Sequence, residues 1–482
     1  ENAVLGKSAF EGISAAVIKK NSTDVDIVTG ATYSSKGMIE AINNALKTGK
    51  VNLASKELTG EAEQKVEIKD AEYDVVVVGF GGAGAVASIT DSDEGAKVLL
   101  LEKAKEGGQG GNTKVSGQQI LYPSDVDRAV NYFKAIFGEF NYDEAMVRTM
   151  VEKMSENEEW LKSMGATDIQ YINYPEYPEV EGSDAMRCIL LGKVYSTGLY
   201  WKVAEDNVFK RTSNIDIWFD SPGKELIQDP ETNAIIGIKV NKEGKMMNVK
   251  ANNGVVLATG GFENNQDMIQ TYLHLPYAYP KGTYNNTGDG IIMAMKVGTQ
   301  LWHMNNPAGP DLNFKDPESN NYFGYKLTEF GSKNTIFVGK DGTRFLDESY
   351  SSKHGKIPFH GNYMTQPVSL PAYAIFDGTV FASGPIYQSG GWSSDNTREV
   401  GKGWIIKADT IEELAMQIGL EPEALENTVN KFNKYCEDKL DPDFGRNPET
   451  LNSIVSAPFY AMKLTPTLTN TQGGPKRNEK CE

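Results

Sequence analysis

The sequence is poor in the residues that build metal centres and covalent staples. Its 482 residues include three cysteines and four histidines. Cys188, Cys436 and Cys481 form no C-x-x-C pair, so neither a disulfide framework nor a thiolate metal site is supported. His274, His303, His354 and His360 show no HExxH-like spacing, which leaves metal-assisted hydrolysis without ligands. Positive charge is also scarce: 48 Lys and Arg against 65 Asp and Glu give a net charge of −17. With no basic cluster interleaved with aromatics, that balance argues against nucleic acid or an anionic membrane as the main partner. No uninterrupted apolar run of membrane-spanning length occurs.

What is present is ordinary globular material, long enough for two or three domains. Residues 1–48 predict two helices, around Ala9–Lys20 and Ser35–Leu46, and residues 56–72 read as a polar linker. The chain opens on Glu1 without methionine, and a targeting segment is expected to have been removed. Tyr73–Val78 is a run of β-branched residues suited to a buried strand, followed by glycines and a small-residue helix. A second strand, Lys97–Leu101, ends on Glu102 and completes a β-α-β unit. Residues 124–165 carry helical periodicity, residues 213–257 read as strands, and residues 299–470 look like a separate lobe.

Gly79, Gly81 and Gly84 match G-x-G-x-x-G at the strand-to-helix junction. In that context the first glycine permits the turn, the second lets backbone approach a pyrophosphate, and the third lets helix and strand pack closely. The pyrophosphate would rest on the helix N-terminus. Glu102, at the end of the second strand, is placed to accept a ribose hydroxyl. Gly107–Gly111 with Asn112, Thr113, Ser116 and Gly117 lets a planar or phosphorylated ligand lie on bare backbone, or is a plain surface loop. Whether the dinucleotide is FAD or NAD is open at this level.

Longer motifs narrow it. Glu102-Lys103, then Gly110-Gly111-Asn112-Thr113 through Ser116-Gly117, then Thr259-Gly260-Gly261-Phe262, then Thr287-Gly288-Asp289-Gly290, resembles the soluble fumarate reductase and urocanate reductase flavoproteins. The resemblance runs over about residues 73–482. It implies an α/β chain: a Rossmann-type (GR2-like) FAD domain over 73–298 with an inserted α+β capping domain over 299–470. Residues 471–482, with Gly473 and Gly474, would be its return strand. FAD would be held non-covalently and would pass hydride to the C=C bond of an unsaturated carbonyl or carboxylate compound. In this family a further C-terminal segment touches FAD and supplies a substrate-binding arginine.

Near the N-terminus, Asp26-x-x-Thr29-Gly30-Ala31-Thr32-x-Ser34 resembles the flavinylation motif of FMN-binding domains. The resemblance implies FMN joined to Thr32 by a transferase, on a partial small α+β domain over 1–55, with FMN relaying electrons in anaerobic respiration. It also implies export beyond the cytoplasmic membrane, a cytoplasmic location being the alternative. Ser34 or Ser35 can serve as a helix N-cap at the same time.

The reacting lobe departs from the family. Thr328-Glu329 matches its proton-relay pair, and Arg344-Phe345-Leu346-Asp347-Glu348 matches R-F-x-[ND]-E. The expected cations, however, fall on Ser332 and Ser352, and the paired histidines on Thr469 and Asn470. A dianion such as fumarate would meet too little positive charge. A neutral or mono-anionic acceptor is therefore expected, with Glu329 and Arg344 catalytic and Tyr350, His354 or Lys356 as proton donor. The run Tyr373, Phe376, Phe381, Tyr387, Trp392 and Trp404 is either a flat apolar pocket or the core of the lobe. Two other readings stay open: an electron-transfer subunit without its own substrate, and a dehydrogenase or reductase of 3-ketosteroid type.

Overall fold

A computed structural model describes residues 3–20, 22–25, 32–48, 70–173, 175–192, 198–319, 322–323, 330–350, 352–360, 362–387 and 391–482. The first two elements are helices, α1 (Ala3–Lys20) and α2 (Thr32–Thr48), each longer than periodicity alone predicts.

The β-branched run forms β1 (Ala71–Val78), which leads into α3 (Gly82–Asp93) and then β2 (Val98–Leu101). After these come α4 (Gly111–Val115), β3 (Ile215–Trp218), β4 (Gly223–Gln228), β5 (Ile235–Lys242) and β6 (Lys245–Leu257). Six strands make one sheet in the order β3-β2-β1-β6-β5-β4. The four strands from β3 to β6 run parallel, and β5 and β4 add an antiparallel edge. In β1, Val76 and Val78 join one core while Val75 and Val77 join the other. A strand covered on both faces has no polar side, which is why its sequence is apolar throughout rather than alternating.

The helices expected over 124–165 are present as Val126–Phe137, Glu144–Ser155 and Asn157–Ser163. They pack beside a three-stranded sheet that contains Met186–Leu191. Next in the chain, α5 (Asp289–Lys296) packs Met293 onto the β1 core. The second large sheet is built around β7 (Phe459–Leu468), which pairs antiparallel with Asp311–Lys315, Ala372–Asp377 and Ile405–Ala408.

Two readings of the sequence are sharpened here. Phe376, Tyr387, Trp392 and Trp404 are buried against one another and Tyr460 in the core of this second sheet, with Phe381 packed on it. They fill the lobe rather than line a pocket, because each inward strand position must cover sheet surface. The 471–482 segment adds no strand to the six-stranded sheet. Instead Asn470–Thr471 pairs with Pro307–Ala308, and Gly474–Pro475 pairs with Leu301–Trp302. Pro475 has no N–H with which to continue a ladder.

Candidate cofactor site

The strand ends of the parallel sheet open on a cavity of about 470 Å³, within the size range of small-molecule sites. The β1–α3 turn forms its floor. Gly79 has φ +109°, and a Cβ there would lie 2.4 Å from the Ala258 carbonyl oxygen. A Cβ on Gly84 would lie 1.8 Å from the Gly79 oxygen. Both glycines are therefore demanded by the chain's own packing. Gly81 differs: its φ is −98°, and the nearest atom to a Cβ would be 3.8 Å away. Nothing in the protein requires a glycine there, so the missing side chain leaves room for whatever enters the cavity.

Glu102 rims the cavity, nearly buried, at the end of β2. Its Oε2 accepts from Phe80 N at 3.0 Å and its Oε1 from Ala104 N at 2.7 Å. A carboxylate has about four acceptor positions, so both oxygens keep capacity for a ribose hydroxyl. Lys103 Nζ donates to Asp289 Oδ2 at 2.6 Å and to Thr287 Oγ1 at 2.7 Å, tying the end of β2 to the start of α5.

The glycine-rich loop approaches from the other side. Gly110 donates its N–H to Phe80 O, and Thr113 Oγ1 accepts from Gly82 N at 3.2 Å. Gly111, Asn112 and Thr113 line the cavity, with Gly110 supporting them from behind. Ser116 and Gly117 lie outside it: Ser116 Oγ donates to Thr113 O, closing the short helix α4 instead. Thr259, Gly260 and Gly261 line the cavity after β6, and Gly473 and Gly474 line it from the late segment.

Several lining residues went unnoticed in the sequence, Glu263, Asn286, Trp302 and Arg477 among them. The one available signal was the carboxylate directly after Gly260-Gly261-Phe262. Asn470 Oδ1 is buried at the cavity and accepts no hydrogen bond among the described residues. That orphaned acceptor and the open space over Gly81 both fit a bound ligand with N–H donors and a pyrophosphate.

The candidate reacting groups are placed differently. Glu329 lies outside the described residues. Arg344 does not line this cavity. Its Nε and Nη2 donate to the two Glu348 oxygens at 2.8 Å each, and Nη2 also donates to Asp441 at 2.9 Å. Arg446 reaches Glu348 as well, at 3.2 Å, and all four side chains are buried. Burial alone would lower the Arg344 pKa, yet Glu348 and Asp441 raise it above the ordinary arginine value. This is a neutralised ion cluster inside the second lobe, and it explains the R-F-x-D-E block as architecture.

Tyr350, His354 and Lys356 do not line the cavity either. His354 Nε2 sits 3.2 Å from Glu176 Oε2, a hydrogen bond that raises the His354 pKa. Lys356 Nζ donates to Thr365 Oγ1 at 2.9 Å, and burial lowers its pKa. Tyr350 is partly exposed. Lys353 and Tyr363 meet Glu179 beside them, so this patch joins the second lobe to the segment after the first helices.

Comparison with known proteins settles the family. Residues 74–482 match the model of the FAD binding domain, which is most of the chain. The chain belongs to the FAD binding domain family. Residues 1–47 match the FMN-binding domain, so FAD and FMN are its cofactors. Urocanate reductase of Eggerthella lenta is 28% identical over 98% of this chain and 77% of its own length. NADH:acrylate oxidoreductase of Vibrio harveyi is 28% identical over 99% of this chain, which spans only 52% of that relative. Among solved structures, the 3-ketosteroid delta1-dehydrogenase of Sterolibacterium denitrificans superposes with a TM-score of 0.67. That match covers 85% of this chain and 90% of the other at 22% identity, a likeness of mixed α/β fold. No helix among the described residues is long and apolar enough to cross a membrane.

Proposed function

We propose that the protein is an FAD-dependent reductase of the C=C bond in α,β-unsaturated carbonyl compounds, with mono-acids preferred over fumarate. The observation that carries this is the cavity itself: Gly81 is left open, Glu102 stands at the β2 end, and Asn470 offers an unused acceptor. Bound FAD supplies the hydride. The chain's own residues orient the ring and the acceptor against it, and positioning of that kind is worth several kcal/mol in general.

The substrate reading rests on charge. Where the family has a cation, Ser352 donates its hydroxyl to Asp311, itself paired with Lys281. With Asp311 and Lys281 cancelling each other, Ser352 leaves that place without the cation that would hold a second carboxylate on the substrate. Urocanate and acrylate, named for the two relatives, each carry one carboxylate.

We read residues 73–298 as a GR2-like Rossmann-type FAD domain, 299–470 as its cap and 471–482 as the return segment. Residues 1–55 are part of an FMN domain, with Thr32 flavinylated by a transferase and the protein exported. The fold likeness to a steroid dehydrogenase keeps a 3-ketosteroid substrate as the second reading. Steady-state assays with a reduced dye test the proposal. Acrylates or urocanate turned over faster than fumarate and 3-ketosteroids support it; fumarate as the best acceptor overturns the charge argument.

A further inference from the structure

Glu263 is wholly buried, yet it lines the cofactor cavity. Its Oε1 accepts from Asn112 Nδ2 at 2.8 Å and from Asn286 Nδ2 at 2.6 Å. Its Oε2 accepts from Thr471 Oγ1 at 3.1 Å. Thr471 Oγ1 in turn accepts from Phe262 N at 2.8 Å, which leaves its own proton for the carboxylate. Every partner is neutral and donates to the carboxylate, Thr471 through the single proton of its hydroxyl. The arrangement holds an anion. No lysine or arginine pairs with Glu263 among the described residues. Arg477 also lines the cavity and Lys103 is engaged with Asp289.

The position of this charge follows from the rest of the cavity. Glu102 and the β1–α3 turn take the ribose and pyrophosphate, at the β2 and β1 strand ends. The flavin ring must lie where an acceptor can reach it from the second lobe. That is where Asn470–Thr471 leaves β7 and enters the cavity, and Thr471 is bonded to Glu263.

We propose that Glu263 is a fixed negative charge beside the flavin ring that lowers the reduction potential of bound FAD. This rests on the FAD-reductase reading above and adds how the site favours giving up hydride. Two-electron reduction with uptake of one proton leaves the ring one charge more negative, and a neighbouring anion opposes that change. Low local polarity strengthens the effect, since a buried charge is poorly screened. When the electron pair leaves as hydride to the substrate β-carbon, the ring returns to neutral and the repulsion is relieved. The neighbouring substrate carbon takes its proton from a separate donor.

The test is potentiometry of the purified, FAD-loaded full chain, made without the FMN transferase so that FAD is its one flavin, with dithionite as reductant. Glu263→Gln keeps the size and removes the charge. It is expected to raise the midpoint potential by at least 30 mV, a tenfold change in the equilibrium constant for a two-electron couple. Glu263→Asp, which keeps the charge, is expected to stay nearer the parent than Glu263→Gln does. A loaded Glu263→Gln protein with an unchanged potential overturns the proposal. Should neither variant hold FAD, the parent protein decides through the pH dependence between about pH 7 and 9. A slope of about 30 mV per unit means one proton per two electrons, so reduction adds a net negative charge beside Glu263 and the carboxyl group takes up no proton with it. A slope of about 60 mV per unit means a second proton is taken up, and the fixed charge is refuted. Absence of flavin from the parent overturns the functional reading itself, and absorbance shows it before any potential is measured.

Discussion

Replacing Gly81 with valine separates what the glycine turn does for the fold from what it does for the ligand. A Cβ at Gly81 meets its nearest neighbour at 3.8 Å, ordinary contact, on a backbone any residue adopts. The cost to the apoprotein should stay within about 1 kcal/mol, and could be offset by the lower chain entropy of the unfolded state. Holoprotein stability should fall by much more. A ligand at a hundredfold excess over its Kd stabilises by about 2.7 kcal/mol, and all of that is lost if FAD is excluded. Gly84→Val makes the contrast: its Cβ would stand 1.8 Å from the Gly79 oxygen, a clash that has to displace backbone. Cofactor content by absorbance and thermal melting with and without added FAD read both effects. The expected result is a Gly81→Val protein without FAD whose melting temperature matches the parent apoprotein. Gly84→Val should melt well below it. A Gly81→Val protein carrying its full complement of FAD would refute the reasoning.

Arg344→Met should destabilise the fold by about 3–5 kcal/mol in denaturant titrations, because Asp441 would be left buried without a cation and Glu348 with Arg446 alone. The same variant refolded at low temperature should keep its flavin spectrum; loss of flavin without loss of stability would return Arg344 to the site. The Glu176–His354 pair should stabilise most between about pH 4.5 and 6.5, the ordinary values of the two groups. His354, raised by its bond to Glu176, loses its share as pH climbs through its folded pKa, and Glu176, lowered by the same bond, loses its share as pH falls through its own. Both are partly exposed, so the stability difference from His354→Gln should stay below about 1 kcal/mol, and a difference that grows above pH 8 would contradict the sign. Mass spectrometry of the peptide containing Thr32, from cells that hold the transferase, should show the added mass of FMN; an unmodified peptide would remove both FMN attachment and the argument for export.

The parallel core was readable because its signals are local. Val75–Val78 is apolar on both faces, the glycines follow at once, and Glu102 ends the next strand. The late segment does form short strands, but where they pair was not readable, because pairing depends on distant partners such as Leu301–Trp302. Arg344 matched a family block, but its charge is cancelled by Asp441, 97 positions away, which no local pattern reveals. The bonding of Glu263 was out of reach for the same reason, although its place after Gly260-Gly261-Phe262 was a signal. Its donors Asn112 and Thr471 lie 151 and 208 positions from it along the chain. The aromatic run was ambiguous in principle, since a core and a flat pocket use the same residues. Only the sheet around β7 decided for the core.

The reduced flavin of this protein is expected to give its electrons to a conjugated double bond. Photoreduced enzyme, mixed anaerobically in a stopped-flow instrument with acrylate, urocanate, fumarate or a 3-ketosteroid, reports this in a single turnover at the flavin absorbance. Rapid reoxidation by the mono-acids, with the saturated acid as product and a slower response to fumarate, is the predicted result. Flavin that stays reduced with every unsaturated compound, yet passes electrons to a protein or dye acceptor, would contradict it.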